Sequence, residues 1–208
     1  MKRLKRWWAA ACRRPFAALY GLGAVLLILT LAGNFALDQV LYATGLLQEQ
    51  TITLADTDRY TLVNLEQTGP DTLVSQTGDA QLLLETRGLV RRVRLVAAYD
   101  AAGADCERDL YYHLPGGGYT PRLRVWPRLA ADGASWTYTV PRWAGQNLRL
   151  DLADTAPVTI RLQAVVLNER AAWYTYFIPS LWQLFWLAAA PGLAGCAVTL
   201  GRKKGETP

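Results

Sequence analysis

The chain has 208 residues, 51% of them hydrophobic, and a formal net charge of +5. That length accommodates one extramembrane domain with its anchors. Nine of the 22 Lys and Arg lie in the two end segments; the remaining 13, against 16 of the 17 acids, leave the middle near −3, so the basic balance gives no sign of nucleic-acid binding.

The first 14 residues form a basic tail carrying Lys2, Arg3, Lys5, Arg6, Arg13 and Arg14. Residues 15–37, PFAALYGLGAVLLILTLAGNFAL, hold no charge and are long enough for one membrane-spanning helix. The apolar run exceeds the h-region of a signal peptide and no small-x-small site precedes Asp38, so an uncleaved anchor is expected. Residues 38–50, DQVLYATGLLQEQ, read as a helical extension or linker.

Over residues 51–168 the period changes. TITL, RYTLVNLE, DTLVSQT, AQLLLET, LVRRVRLVAAYD, RDLYYHL, RLRVWPRL, SWTYTV, NLRLDL and VTIRLQAVVL are short β-like runs, separated by turn signals such as TGP, TGD, PGGG and ADG. About ten short strands at this spacing predict a jelly-roll-like β-sandwich, with a closed barrel as the rival. Alternation places Val93, Leu95, Ala97 and Tyr99 on one face of their strand, Leu148, Leu150 and Leu152 on one face of theirs, and Ile160, Leu162, Ala164 and Val166 on one face of the last. Arg149, Asp151 and Arg161 then fall opposite, where a cross-strand charged cluster is expected. All 13 positive residues of the middle are arginine, a side chain suited to bidentate pairing and stacking on rings, although GC-rich coding favours arginine too.

Three pieces of this region, VRRVRLVAAYDAAG, WTYTVP and NLRLDLADTAPVTIRLQAVVL, carry a family likeness. The block Val90–Leu167 resembles the galactose-binding-like jelly rolls in translocated parts of bacterial envelope glycan-assembly membrane proteins. The resemblance implies a sandwich fold and a setting in surface-polysaccharide machinery. Arg149 and Asp151 match a structural element of the pattern and are not carried over as catalytic.

Residues 169–176 read as an interfacial linker, 177–200 as a second span, and 201–208 as a second basic tail with Arg202, Lys203 and Lys204. The positive flanks place both termini in the cytoplasm and the middle across the membrane; the resemblance implies a bacterial inner membrane, with the middle in the periplasm. Trp7, Trp8, Trp173, Tyr174 and Tyr176 suit interfacial aromatic belts. Within the second span, Trp182, Phe185 and Trp186 share a helical side, with Gln183 the one strongly polar residue. Small residues follow in AAAPGLAG, including Gly192 and Gly195, and packing against other membrane subunits is expected there.

No catalytic constellation stands out. The glycines of HLPGGGYTP lack the helix and lysine of a phosphate loop. His113 is the only histidine, too few for a zinc site. Asp105, Glu107 and Asp109 alternate as at the start of a calcium loop, without its glycine and distal glutamate, so calcium is a minor alternative and no other cofactor is implied. Ser75, Ser135 and Ser180 lack an elbow motif. Cys12 and Cys196 sit by the ends, and Cys106, alone in the middle, reads as a tolerated loop thiol.

The aromatics carry the binding signal. Trp126, Trp136, Tyr138 and Trp143 fall close together, alongside Arg122, Arg124, Arg128 and Arg142, a mixture suited to sugar stacking or to a protein hot spot, with Arg124 and Arg142 the arginines selected. Alternation puts Trp136 and Tyr138 on one face, so core packing competes with a surface role for them. The expected function is a non-catalytic accessory subunit of an envelope complex, with the bilayer, other membrane subunits and a glycan or partner protein as its contacts. The alternatives are a structural clamp in a photosynthetic or respiratory complex and, less favoured, an enzyme with dispersed carboxylates.

Overall fold

The computed structural model describes residues 15–86, 88–142, 144 and 147–205, with side chains described through residue 200. The tail 1–14 with Trp7, Trp8 and Cys12, the candidate Trp143, and the side chains of 201–208 therefore lie outside the described residues. The chain divides into two compact units, residues 1–40 with 171–208, and Leu41–Arg170.

In the first unit, helix α1 spans Pro15–Ala43 and helix α2 spans Leu181–Gly205. Both are long and apolar enough to cross a membrane, with mean hydropathies of 2.1 and 1.5 over their best windows. At 1.5 Å per residue, α1 is about 43 Å long, more than the roughly 30 Å hydrocarbon layer requires. It runs unbroken past Leu37 to Ala43, and Gly45, at φ 73, supplies the left-handed turn that follows it. Asp38 is buried within this helix, and the Tyr176 hydroxyl donates to its Oδ2 at 3.0 Å. Tyr176 belongs to a short 3₁₀ turn, Trp173–Phe177, and packs edge-on against Phe35.

Ser180 and Gln183 form a capping box at the start of α2: Gln183 N–H donates to Ser180 Oγ at 3.2 Å, and Ser180 N–H to Gln183 Oε1 at 2.8 Å. The polar residue of the span is thus explained by helix initiation. The small residues are used inside the chain. A Cβ on Gly195 would stand 2.5 Å from the Phe16 ring, one on Gly192 would stand 3.2 Å from the Tyr20 hydroxyl, and one on Gly23 would meet Leu187 at 3.1 Å. This corrects the expectation of packing against other subunits at Gly192 and Gly195, because α1 already occupies that side of α2. Trp182, Phe185 and Trp186 remain exposed and stack on one another, Trp182 lying nearly parallel to Phe185 at 5.4 Å.

Among its described residues the second unit is a two-layer sandwich of twelve strands: β1 Gln50–Ile52, β2 Tyr60–Val63, β3 Leu65–Gln67, β4 Thr72–Ser75, β5 Ala80–Leu84, β6 Arg92–Tyr99, β7 Leu110–Tyr111, β8 Arg124–Val125, β9 Arg128–Leu129, β10 Ser135–Thr139, β11 Leu148–Ala153 and β12 Thr159–Leu167. One sheet runs β3-β4-β12-β6-β10-β9, with β1 also on β12; the other runs β2-β5-β11-β7-β8. Two of the ten predicted runs each divide into two strands. RYTLVNLE breaks at Asn64, whose φ of 56 turns the chain from β2 in one sheet to β3 in the other. RLRVWPRL breaks at Trp126 and Pro127, where the missing N–H of proline ends the ladder and the chain steps from β8 to β9. The sandwich is laced along both edges by these crossings.

The inner faces meet in an apolar core that includes Leu73, Leu82, Leu84, Leu95, Leu110, Leu148, Leu150, Leu152 and Ile160, all essentially without solvent contact. The predicted alternation holds in β6 and β11. In β12 it holds for Ile160 and Leu162, after which Val165 and Leu167 turn inward instead of Ala164 and Val166. The pairing with β6 shifts between Leu162 and Ala164, and one extra residue in a strand of period two reverses every side chain beyond it.

Candidate functional site

The expected cluster of Arg149, Asp151 and Arg161 does not form, because β11 and β12 belong to different sheets. Arg149 instead grips Asp151 in a forked pair, Nε to Oδ1 at 2.6 Å and Nη2 to Oδ2 at 2.7 Å, and reaches Asp79 at 3.2 Å. Its neighbour across the sheet is Tyr111 of β7, and Tyr111 in turn pairs with Arg124 of β8. The Arg149 guanidinium lies 4.9 Å from the Tyr111 ring centre. A row of cations and rings therefore crosses the outer face of the smaller sheet and reaches its edge at Arg124.

Arg124 is held there from two sides. Its Nη1 donates to Asp109 Oδ2 at 3.0 Å, and its guanidinium lies 4.8 Å from the centre of the Trp126 ring. Asp109 is buried, which raises its carboxyl above the ordinary value, while Arg124 opposes that shift. Trp126 stands on the crossing between the sheets with 65% of its surface exposed, a large fraction for a tryptophan whose orientation is fixed. Arg124, Val125, Trp126, Pro127, Arg128, Thr137 and Thr139 line an open groove of about 390 Å³. The threonines point outward from β10 because Trp136 and Tyr138, the alternate residues, point inward.

Those two aromatics are thereby corrected as surface candidates. Tyr138 is 2% exposed, and its hydroxyl donates to the Arg108 carbonyl at 2.7 Å. Burial pushes its phenol well above the ordinary range and brings that of Tyr99 to about 12. Trp136 packs against the core edge-on to Tyr99, with the Arg108 guanidinium 4.0 Å from the Tyr99 centre and 4.6 Å from the Trp136 centre. Arg108 is buried and donates to the carbonyls of Cys106, Gly103 and Ala104. Arg142 is half-buried beyond β10 and does not line the groove.

The remaining sequence candidates disperse. Among the described residues no group of three potential metal ligands gathers; Asp109 turns inward to Arg124 while Asp105 and Glu107 are exposed. His113 is bonded through Nδ1 to the Leu114 carbonyl and meets Tyr119 edge-on. Ser75 donates to Thr155 O and accepts from Val158 N–H, Ser135 bonds Asp132, and Ser180 caps α2. Cys106 is buried, its sulfur 3.3 Å from Thr155 Oγ1, so it is a core thiol.

Of the six sequence-predicted binding residues, the structure brings Arg124 and Trp126 together. Arg128, noted in the sequence beside the aromatics, joins them in the groove, whereas Thr137 and Thr139 were not selected, although the alternation that turned Trp136 inward also turned the threonines outward.

No protein-family model matches the chain, and no curated protein matches it. Solved structures similar to it include CBM86, a low-affinity xylan-binding module from Roseburia intestinalis, at 13% identity and a TM-score of 0.40, covering 61% of this chain and 98% of the module. The xylan-binding module CBM15 matches at 12% identity and a TM-score of 0.39, covering 61% and 99%. CsCBM6-3 from Clostridium stercorarium, in complex with cellobiose, matches at 13% identity and a TM-score of 0.35, covering 58% and 94%. The likeness is one of strand arrangement, and no ligand follows from it.

Proposed function

We propose that the protein is a non-catalytic accessory subunit anchored by two membrane spans, with both termini in the cytoplasm, whose periplasmic sandwich binds a glycan within an envelope complex. The observation that carries this reading is Trp126, exposed, fixed by Arg124 and opening onto a groove with two hydroxyls and a second arginine. A stacked ring bordered by side-chain donors suits a pyranose, whose apolar face covers the indole while its hydroxyls meet the donors. Contact with other membrane subunits is supported separately by the exposed stack of Trp182, Phe185 and Trp186.

The test is a titration of the full chain in nanodiscs with a panel of oligosaccharides, run beside Trp126→Ala. Loss of the stacking face is expected to weaken binding at least about fivefold, since such contacts are worth roughly 1 kcal/mol beyond burial. If no saccharide binds, or the variant binds like wild type, the glycan reading fails. Co-purification with membrane subunits that Trp126→Ala disrupts would then favour the structural clamp.

A further inference from the structure

We infer that the Trp126 groove selects an acidic saccharide, a pyranose whose carboxylate is taken by Arg128 and Arg124. This rests on the glycan-binding reading and goes beyond it by naming the charge of the ligand. Two of the seven residues lining the groove are arginines and none is an acid, in a middle region that carries 16 acids against 13 arginines. No carboxylate lines the groove itself; Asp132 and Glu169 stand beyond it on Arg94, and Asp109 on Arg124.

Strand register gathers the charge. Thr137 of β10 sits between Arg128 of β9 and Arg94 of β6, and Thr139 lies opposite Arg92. Arg94 is balanced by Asp132 at 2.6 Å and Glu169 at 2.8 Å, and Arg124 by Asp109. Arg128 is exposed and makes no ion pair among the described residues. Its guanidinium is thus available to a ligand, at the lip of a groove whose aromatic wall is Trp126.

The donor set decides between neutral and acidic sugars. Each hydroxyl of a neutral pyranose has one proton to donate beside its two lone pairs, and a site built for such a sugar supplies carboxylate or amide oxygens to receive those protons. This groove supplies guanidinium N–H groups and two threonine hydroxyls, of which Thr137 already donates to the Arg128 carbonyl at 3.2 Å, with no carboxylate or amide side chain. Such a set is satisfied by a ligand rich in acceptors. A planar guanidinium meets a carboxylate in two parallel hydrogen bonds, stronger than those it makes to a hydroxyl.

The experiment uses the full chain in phosphatidylcholine nanodiscs, which present no anionic headgroup. The probes are trigalacturonate and its methyl ester, which has the same rings without the charge. Trigalacturonate is expected to bind at least about tenfold more tightly, as a charged hydrogen-bond pair would give, and the preference should shrink as salt rises from low to physiological. Arg128→Ala should abolish the preference, weakening trigalacturonate several-fold more than the ester; Arg128→Lys should retain part of it; Trp126→Ala should weaken both ligands. Both side chains are exposed, so thermal melting should be unchanged and serves as the folding control. Equal binding of acid and ester, unaltered by Arg128→Ala, would overturn the acidic preference and leave the glycan reading standing. Failure of both probes and of the neutral panel would overturn both. Complete displacement of trigalacturonate by equimolar inorganic phosphate would show a simple anion site and overturn the inference as well.

Discussion

At the residue scale, single polar side chains hold the loops that frame the groove. Asp132, in the turn before β10, accepts from Ala134 N–H, Ser135 N–H, Ser135 Oγ and Arg94 Nη2, the last at 2.6 Å. These bonds, led by Ala134 N–H and Ser135 Oγ, hold its carboxyl down to about 2. A carboxyl depressed in the folded state contributes stability above its unfolded value of roughly 3.9 and loses it as pH falls through that value toward the folded one. Wild type should therefore melt above Asp132→Asn at neutral pH, with the gap closing between pH of about 4 and about 2. A gap that persists unchanged at pH 2 would assign the effect to geometry instead of charge. Asn168 plays a comparable part where β12 ends. It sits at φ 54, donates to the Gln48 and Leu89 carbonyls, accepts from Arg91 N–H through its side chain, and accepts from the Tyr42 hydroxyl through its carbonyl. The Asp132 turn is local and was legible as the ADG turn signal, whereas its bond to Arg94 and the role of Asn168 were not, since a hydrogen-bonded partner many residues away leaves no local pattern.

At the element scale, much was legible and the losses have definite causes. Alternation located the strands and the inward faces of β6 and β11, because burial on one side imposes a period of two. It did not tell that β11 and β12 enter different sheets, so Arg161 was placed beside Arg149 wrongly; pairing partners are set by tertiary packing and not by the strand's own pattern. It could not see the β12 bulge, which reverses Ala164 and Val166. The candidate site suffered similarly: the aromatic cluster was found, but which of its members point outward followed from the β10 register. The 3₁₀ turn Ala101–Gly103 shows how tightly elements are seated. A Cβ on Gly103 would lie 2.5 Å from Val158 Cγ1 and 2.9 Å from the Tyr99 ring, so the turn rests directly on two strands' side chains. Gly103→Ala should destabilise the sandwich by about 1–3 kcal/mol through overpacking, read as a lower denaturation midpoint. An unchanged midpoint would mean that Val158 and Tyr99 can move aside at no cost.

At the scale of the whole molecule, the two apolar helices pack on one another through glycine, and this makes the pairing testable inside a bilayer. Gly195 and Gly21 are both small residues of apolar helices, yet their surroundings differ. A side chain at Gly195 would enter the Phe16 ring, whereas one at Gly21 would meet nothing within 4 Å. Tyr20 and Ala188 mark the same contact, the Tyr20 hydroxyl donating to the Ala188 carbonyl at 2.9 Å. In membrane helices, where lipid is as apolar as leucine, close approach of backbones supplies much of the association energy, so the loss of one small residue is felt directly. With cysteines introduced at positions 20 and 188, in a background without Cys12 and Cys196, a short bifunctional thiol cross-linker should join them readily in native membranes. Gly195→Leu should reduce the cross-linking several-fold, and Gly21→Leu should leave it unchanged. Equal loss from both substitutions would reflect general disturbance of the helices. Equal retention would mean that α1 and α2 do not meet along this seam, and Gly192 and Gly195 would then be free to receive another subunit.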